Sequence, residues 1–216
     1  SDVCSSDLGR LQLGISRGSP EQVIDGWRYF GYEPASGETG ADMARRRTLT
    51  LLDLLRGEGF ARPNPRPMFP NPPGLLRIEP HSEGLRDRIW WGSGSNATAE
   101  WAARQGMYLQ SSTLKDEETG EAFHIQQAAQ IRAYRAAWRD AGHLREPRVS
   151  VSRSIFPLVS DLDYAYFGNS GDRGDQIGLI DANTRAIFGR TYAAEPDQLI
   201  EQLRQDEAIA EADTLL

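Results

Sequence analysis

The chain has 216 residues, with 24 basic against 31 acidic side chains and a formal net charge of −7. An acidic surface of this kind does not favour nucleic acid or anionic membranes, and no apolar run approaches the roughly 18 residues of a bilayer span. Cys4 is the only cysteine, which excludes an internal disulfide framework.

The first element in chain order is a polar leader, "SDVCSSDL", set directly against the alternating stretch "GRLQLGIS". The codons TCA GAC GTG TGC TCT TCC GAT CT translate as this leader, and the string is similar to a common sequencing-adapter oligonucleotide. Residues 1–8 are therefore expected to be adapter-derived and are set aside from fold reasoning. On that expectation the genuine chain begins near Gly9 with sequence missing upstream, Cys4 drops out, and the net charge becomes about −5.

Residues 11–16 read as a strand. Met43, Leu51, Leu54 and Leu55 share one face of a helix over 41–56, which Gly57 ends. Residues 59–88 hold seven of the twelve prolines, too many for a regular element. A strand over 89–92 then leads to a short helix over 98–105, stopped by Gly106, and to a strand over 107–111. Ile131, Tyr134, Trp138 and Ala141 recur at helical spacing, so 124–141 reads as an amphipathic helix closed by Gly142. Residues 149–159 form a fourth strand candidate. The glycine-rich stretch 168–190 is long enough for a lid or loop. Pro196 suits the first position of a helix over 197–204, and a fifth strand begins at Asp213.

Strands alternating with helices indicate an α/β fold with a parallel sheet. A (β/α)8 barrel needs about 250 residues, so at most five strands would make a partial barrel.

Two stretches carry candidate chemistry. In "LGISRGSPEQ" a strand runs into Arg17 and Gly18, which places a guanidinium at the strand's carboxyl end, where parallel α/β folds build ligand sites. Its fork suits phosphate, although from these residues alone a solvated turn arginine is the simpler reading. In "IWWGSGSNATAEWAARQG" a strand ends in Gly92-Ser93-Gly94-Ser95 and a helix follows. Free amides at that helix N-terminus, with the hydroxyls of Ser95 and Thr98, form an anion site by geometry and dipole. Ser95 can equally be an N-cap, and the two roles coexist.

His81, His124 and His143 converge neither with one another nor with a carboxylate in sequence, so no metal site is expected. Trp90 and Trp91 point to opposite faces, and acidic "KDEETGE" reads as a solvated loop. Lys115, the only lysine, reflects an arginine bias without functional meaning.

"GRLQLGISRG…FGYEP", "MARRRTLTLLDLLRG" and "IWWGSGSNATAEWAARQG" resemble, in order and spacing, the luciferase-like flavin-dependent monooxygenases, the superfamily of the bacterial luciferase subunits. The resemblance runs over 9–216. It implies a partial (β/α)8 TIM barrel, roughly strands four to eight of the family barrel, with the catalytic histidine of the early strands in the missing part. It implies reduced FMN as cofactor, with a deazaflavin as the variant. It assigns the flavin phosphate to Arg17, Gly94, Ser95 and Thr98, and places Ser16 beneath the isoalloxazine ring. Luciferase has a glutamate at the position of Gly94, so one polar contact is absent here. Gln110 and Ser112 could face the flavin, and Arg185 and Arg190 could close over flavin or substrate or lie on the surface.

The implied function is a fragment of a monooxygenase that oxidises a small organic substrate with reduced FMN and O2, supplied by a flavin reductase. The implied partners are that substrate, O2, the reductase and a homo- or hetero-dimer mate, with no nucleic acid or membrane. The implied location is the cytoplasm, and the fragment alone is expected to be inactive. The alternatives are a deazaflavin-dependent dehydrogenase or reductase of the same superfamily and a non-catalytic flavin-binding subunit. Sequencing the DNA on the 5′ side of Gly9 tests the leader: a foreign junction at residue 8 is expected, and a continuous natural frame through 1–8 refutes it.

Overall fold

The computed structural model describes residues 9–17, 35–117, 119–171, 173–180 and 184–216. The leader 1–8 and Gly18 lie outside them. The chain divides into two compact units, Ser1–Ile89 and Trp90–Leu216.

In the first unit a short strand β1 (Leu13–Ile15) is followed by helix α1 (Gly40–Leu54). Thr39 and Asp42 cap α1 reciprocally, which satisfies amides that the first helical turn leaves without intrahelical partners. Arg46 grips Glu38 with two hydrogen bonds of 2.8 and 3.0 Å. The proline-rich stretch forms no helix or strand beyond a single bridge between Ala61 and Leu76 and a one-turn 3-10 helix over Leu85–Arg88. Arg88 ties the stretch back to the start of the unit by donating from Nε to the Leu11 carbonyl at 2.9 Å.

The second unit carries strands β2 (Ile89–Ser93), β3 (Tyr108–Ser111), β5 (Val149–Val151) and β10 (Thr214–Leu215), with β4 (Leu114–Lys115) between β3 and β5. β2, β3, β5 and β10 lie side by side in that order, all parallel, with Trp91 opposite Leu109 and Leu109 opposite Val149. Helices α2 (Asn96–Arg104) and α3 (Phe123–Asp140) make the crossovers, since parallel neighbours cannot be joined by tight turns. Glycines at positive φ, Gly106 (+68°) and Gly142 (+73°), stop both helices, a backbone region that side chains with a Cβ avoid. This is the α/β architecture read from the sequence, as an open parallel row.

The main core lies between these strands and α2, α3 and α6 (Glu207–Glu211). Leu109, Val149 and Val151 project from the strands onto Ala99, Ala103, Ala128, Ile131, Tyr134 and Trp138. Small alanines on α2 and α3 let the two helices pack closely, while Tyr134 and Trp138 fill the remaining volume. These two aromatics keep their polar atoms paired: the Tyr134 hydroxyl donates to the Met107 carbonyl at 2.9 Å, and Trp138 Nε1 donates to the Arg145 carbonyl at 2.8 Å. The Arg145 guanidinium lies 4.8 Å from the centres of both the Tyr108 and Trp138 rings and donates to the Gly106 carbonyl.

The fourth strand candidate is two short strands. β5 stops at Val151, and β6 (Ile155–Pro157) pairs with β9 (Tyr192–Ala194), because the polar run Ser152-Arg153-Ser154 turns away from the apolar layer. The glycine-rich stretch holds a hairpin rather than a loop alone. β7 (Gln176–Leu179) and β8 (Arg185–Phe188) pair antiparallel, and β8 pairs in turn with β4. Helices α4 (Asp161–Phe167) and α5 (Pro196–Arg204) complete the unit.

Beyond the end of β5, Arg153 forms a buried ion pair. Its Nε and Nη2 reach the Asp206 carboxylate at 2.7 and 3.0 Å, with side chains 2% and 0% exposed. The Tyr192 hydroxyl donates to Asp206 at 2.7 Å, the Ile209 amide at 3.0 Å, and Arg153 Nη2 also reaches Gln127 at 2.7 Å. Burial alone would raise the Asp206 carboxyl, but the bonds from Arg153 and Tyr192 outweigh it and hold it below its ordinary value of 3.8. The folded state thus binds this proton less readily than the unfolded chain. The stabilisation is complete above the unfolded value and is lost as pH falls through the folded one.

Asp206→Asn should cost about 3–5 kcal/mol of unfolding free energy, because it strands a buried guanidinium. Urea titrations from neutral to acid pH should also show a flatter acid limb in the variant than in the parent.

Candidate functional site

The carboxyl ends of β2 and β3 meet the N-terminus of α2 in a set of serines and amides. Ser95 is the N-cap of α2: its Oγ accepts from the Thr98 amide at 3.2 Å and donates to Thr98 Oγ1 at 2.8 Å. Both hydroxyls read as phosphate ligands are therefore engaged in capping the helix. Both side chains are only partly buried.

The peptide joining Ser95 to Asn96 is held from both sides. Its carbonyl accepts from Ser93 Oγ at 2.9 Å, from Gln130 Nε2 at 2.9 Å and from the Ala99 amide at 3.1 Å. Its N–H donates to the Glu117 carboxylate at 3.1 Å. Lys115 Nζ donates to the Asn96 side-chain oxygen at 2.7 Å and stands 3.9 Å from Glu117. A carboxylate is thus seated on the first amide of α2, beside an ammonium group, as the helix dipole favours.

Lys115 corrects the reading of "KDEETGE" as a solvated loop. Its side chain is 1% exposed, because β4 is covered by β8 and directs Lys115 inward toward α2. Burial pushes its ammonium below the usual lysine value, against the opposing pull of Glu117 and Asp116. Composition hides this residue, and only the Leu114–Lys115 pairing, two residues long, reveals it.

Gly94 sits where a Cβ would meet Leu114 Cδ1 at 3.3 Å and the Leu114 carbonyl at 3.4 Å. The missing side chain lets β4 close against the turn. Ser112 lies nearby, its amide on the Ser93 carbonyl at 2.9 Å and its own carbonyl bound by Gln127 at 2.9 Å. Gln110 is exposed.

Ser16 and Arg17 are exposed and belong to the first unit, while Gly94, Ser95 and Thr98 belong to the second. The structure brings the latter three together at one turn. Arg185 is exposed on β8, whereas Arg190 is partly buried and donates to the Gly171 carbonyl at 2.9 Å. Trp91 is buried edge-on against Trp101 at 5.0 Å, and Trp90 packs on Tyr108 at 5.1 Å, so the pair does alternate faces. The histidines serve the fold: His143 bonds the Ala103 carbonyl at 2.8 Å, His124 accepts the Glu207 amide at 3.2 Å, and the His81 ring fills the space beside Gly57.

No family model and no curated protein matches the chain. Solved structures do. The chain is similar to MsnO8 in its apo form, with a TM-score of 0.53 and 18% identity over 98% of this chain and 64% of that one. It is also similar to the monooxygenase RslO1 from Streptomyces bottropensis, with a TM-score of 0.46 and 19% identity over 78% and 48% of the two chains. A third match is the oxygenating constituent of 3,6-diketocamphane monooxygenase from the CAM plasmid of Pseudomonas putida, a type II Baeyer-Villiger monooxygenase in complex with FMN. There the TM-score is 0.48 and the identity 17%, over 74% and 43%. The chain and MsnO8 share a fold. The chain spans 43% to 64% of the length of these three structures. No described helix is long and apolar enough to cross a membrane.

Ser95→Ala should lower the unfolding free energy by about 1 kcal/mol through loss of the cap, whereas Ser95→Thr should keep most of it. Chemical denaturation followed by far-UV circular dichroism measures both.

Proposed function

We propose that the chain is part of a luciferase-like flavin-dependent monooxygenase, built as a section of a (β/α)8 barrel, that oxidises a small organic substrate with reduced FMN and O2. A flavin reductase would supply the reduced cofactor. The observation that carries the reading is the turn from β2 into α2, which in the chain's own structure already holds a carboxylate on the Asn96 amide. The donor set therefore fits an anionic group such as the FMN phosphate.

In this reading Ser95, Thr98 and the Asn96 amide bind the phosphate. Gly94 keeps the turn free of a side chain. Of the residues assigned by resemblance in the first unit, Arg17 acts on the phosphate and Ser16 on the ring. Lys115, buried behind Asn96, holds that side chain in place and balances incoming negative charge. Glu117 must leave the Asn96 amide when phosphate arrives, since two anions cannot share one donor. Reduced FMN, when bound, supplies the electrons for oxygen activation, while the protein contributes binding, orientation and exclusion of water.

FMN should bind the protein, and Arg17→Ala should weaken that binding about tenfold or more, the worth of one charge-assisted contact. Equilibrium dialysis with FMN measures it, and unchanged affinity removes Arg17 from the site. Supplying the full-length enzyme with reduced FMN and O2, and separately with a reduced deazaflavin, decides the chemistry: substrate oxygenation in the first arm is expected, and hydride transfer in the second alone overturns it.

A further inference from the structure

The buried face of α3 contains a glutamine that the sequence reading passes over. Gln130 is fully buried and has two different ends in use: its Oε1 accepts from Ser111 Oγ at 2.6 Å, and its Nε2 donates to the Ser95 carbonyl at 2.9 Å. Ser111, the last residue of β3, is 1% exposed and Ser93, the other side chain on that carbonyl, 3%. The Ser95 carbonyl can only accept, so the Nε2 end of the amide must face it and Oε1 is left to accept the Ser111 hydroxyl. The direction of the chain Ser111 to Gln130 to Ser95 is therefore set by donor and acceptor type.

The peptide between Ser95 and Asn96 gives this contact its reach. In a planar trans peptide the C=O and N–H point in opposite directions, so clamping the oxygen from inside aims the hydrogen outward. The outward hydrogen is the one on the Asn96 amide, where the Glu117 carboxylate sits at 3.1 Å. Ser93 and Ala99 also hold the oxygen, one from the preceding strand and one from within α2. Gln130 alone ties it to a different helix.

We propose that Gln130 is a positioning residue for phosphate recognition: through the Ser95 carbonyl it orients the Asn96 N–H that receives the anion, with Ser111 holding the other end of the Gln130 amide in place. The proposal rests on the phosphate reading of this turn. Gln130 touches no ligand and moves no proton. Its effect is confined to the end of the ligand that carries the phosphate.

That confinement supplies the test. Kd values for FMN and for riboflavin, which lacks the phosphate, are measured by flavin fluorescence titration on the parent protein, Gln130→Met and Ser111→Ala. The parent should prefer FMN. Gln130→Met keeps the volume but removes the donor, and should weaken FMN binding about tenfold, the worth of one hydrogen bond to an oriented group, with riboflavin within about twofold. Ser111→Ala, a milder change that carries the test if Gln130→Met does not fold, should weaken FMN about threefold with the same selectivity. Equal losses for both ligands, or an unchanged preference in a folded variant, overturn the role of Gln130 while leaving the phosphate site standing. A parent that binds FMN no better than riboflavin overturns the phosphate reading and this role together.

Discussion

A buried amide costs free energy wherever its oxygen or its nitrogen lacks a partner. Helix α3 places three such side chains, Gln126, Gln127 and Gln130, on its core face, all 4% exposed or less. Gln130 reaches the ends of β2 and β3, and Gln127 reaches the Ser112 carbonyl and Arg153, just past β5. Gln126 turns its nitrogen back to the Glu121 carbonyl at 2.7 Å and anchors the start of its own helix, while its buried oxygen has no hydrogen-bond partner among the described residues. Apolar contacts would allow α3 to slide by fractions of a turn against the strands. Directional bonds do not, so the carboxyl ends of β2, β3 and β5 take their relative positions from one helix.

The same logic extends to the end of the chain. Arg153 passes the network from Gln127 to Asp206, and Asp206 caps α6 while accepting from Tyr192 on β9. Elements far apart in sequence share a single hydrogen-bonded unit, buried where solvent cannot compete. On the opposite side of the unit, Arg145 takes its place between Tyr108 and Trp138 by stacking. Polar side chains thus set geometry at both ends of a core whose bulk is apolar.

The alternation of strand and helix is legible because it rests on local signals. Apolar spacing marks α3, Gly106 and Gly142 mark helix ends, and Pro196 opens α5. The turn from Gly94 to Thr98 is legible for the same reason, since a strand followed by glycine, serine and a helical pattern has few structures open to it. The glutamine stripe is not legible in this way: a search for apolar residues at helical spacing finds Ile131, Tyr134 and Trp138 and stops, although the same face continues as Gln130, Gln127 and Phe123. Lys115 escapes for another reason. Its burial comes from the pairing of β4 with β8, segments some seventy residues apart, and no local pattern encodes a register of that span.

Glu117 gives the turn a property best described as competition for a single vacancy. A carboxylate tethered two residues from β4 presents itself to the Asn96 amide at an effective concentration on the order of millimolar, as short linkages do. A free anion in solution is therefore judged against that internal standard. Weak or dilute anions leave the carboxylate in place, and a ligand gains the amide only by bringing further contacts of its own. On the phosphate reading proposed above, selectivity for a large ligand with a phosphate at one end over the small anions of its surroundings would arise from the turn itself.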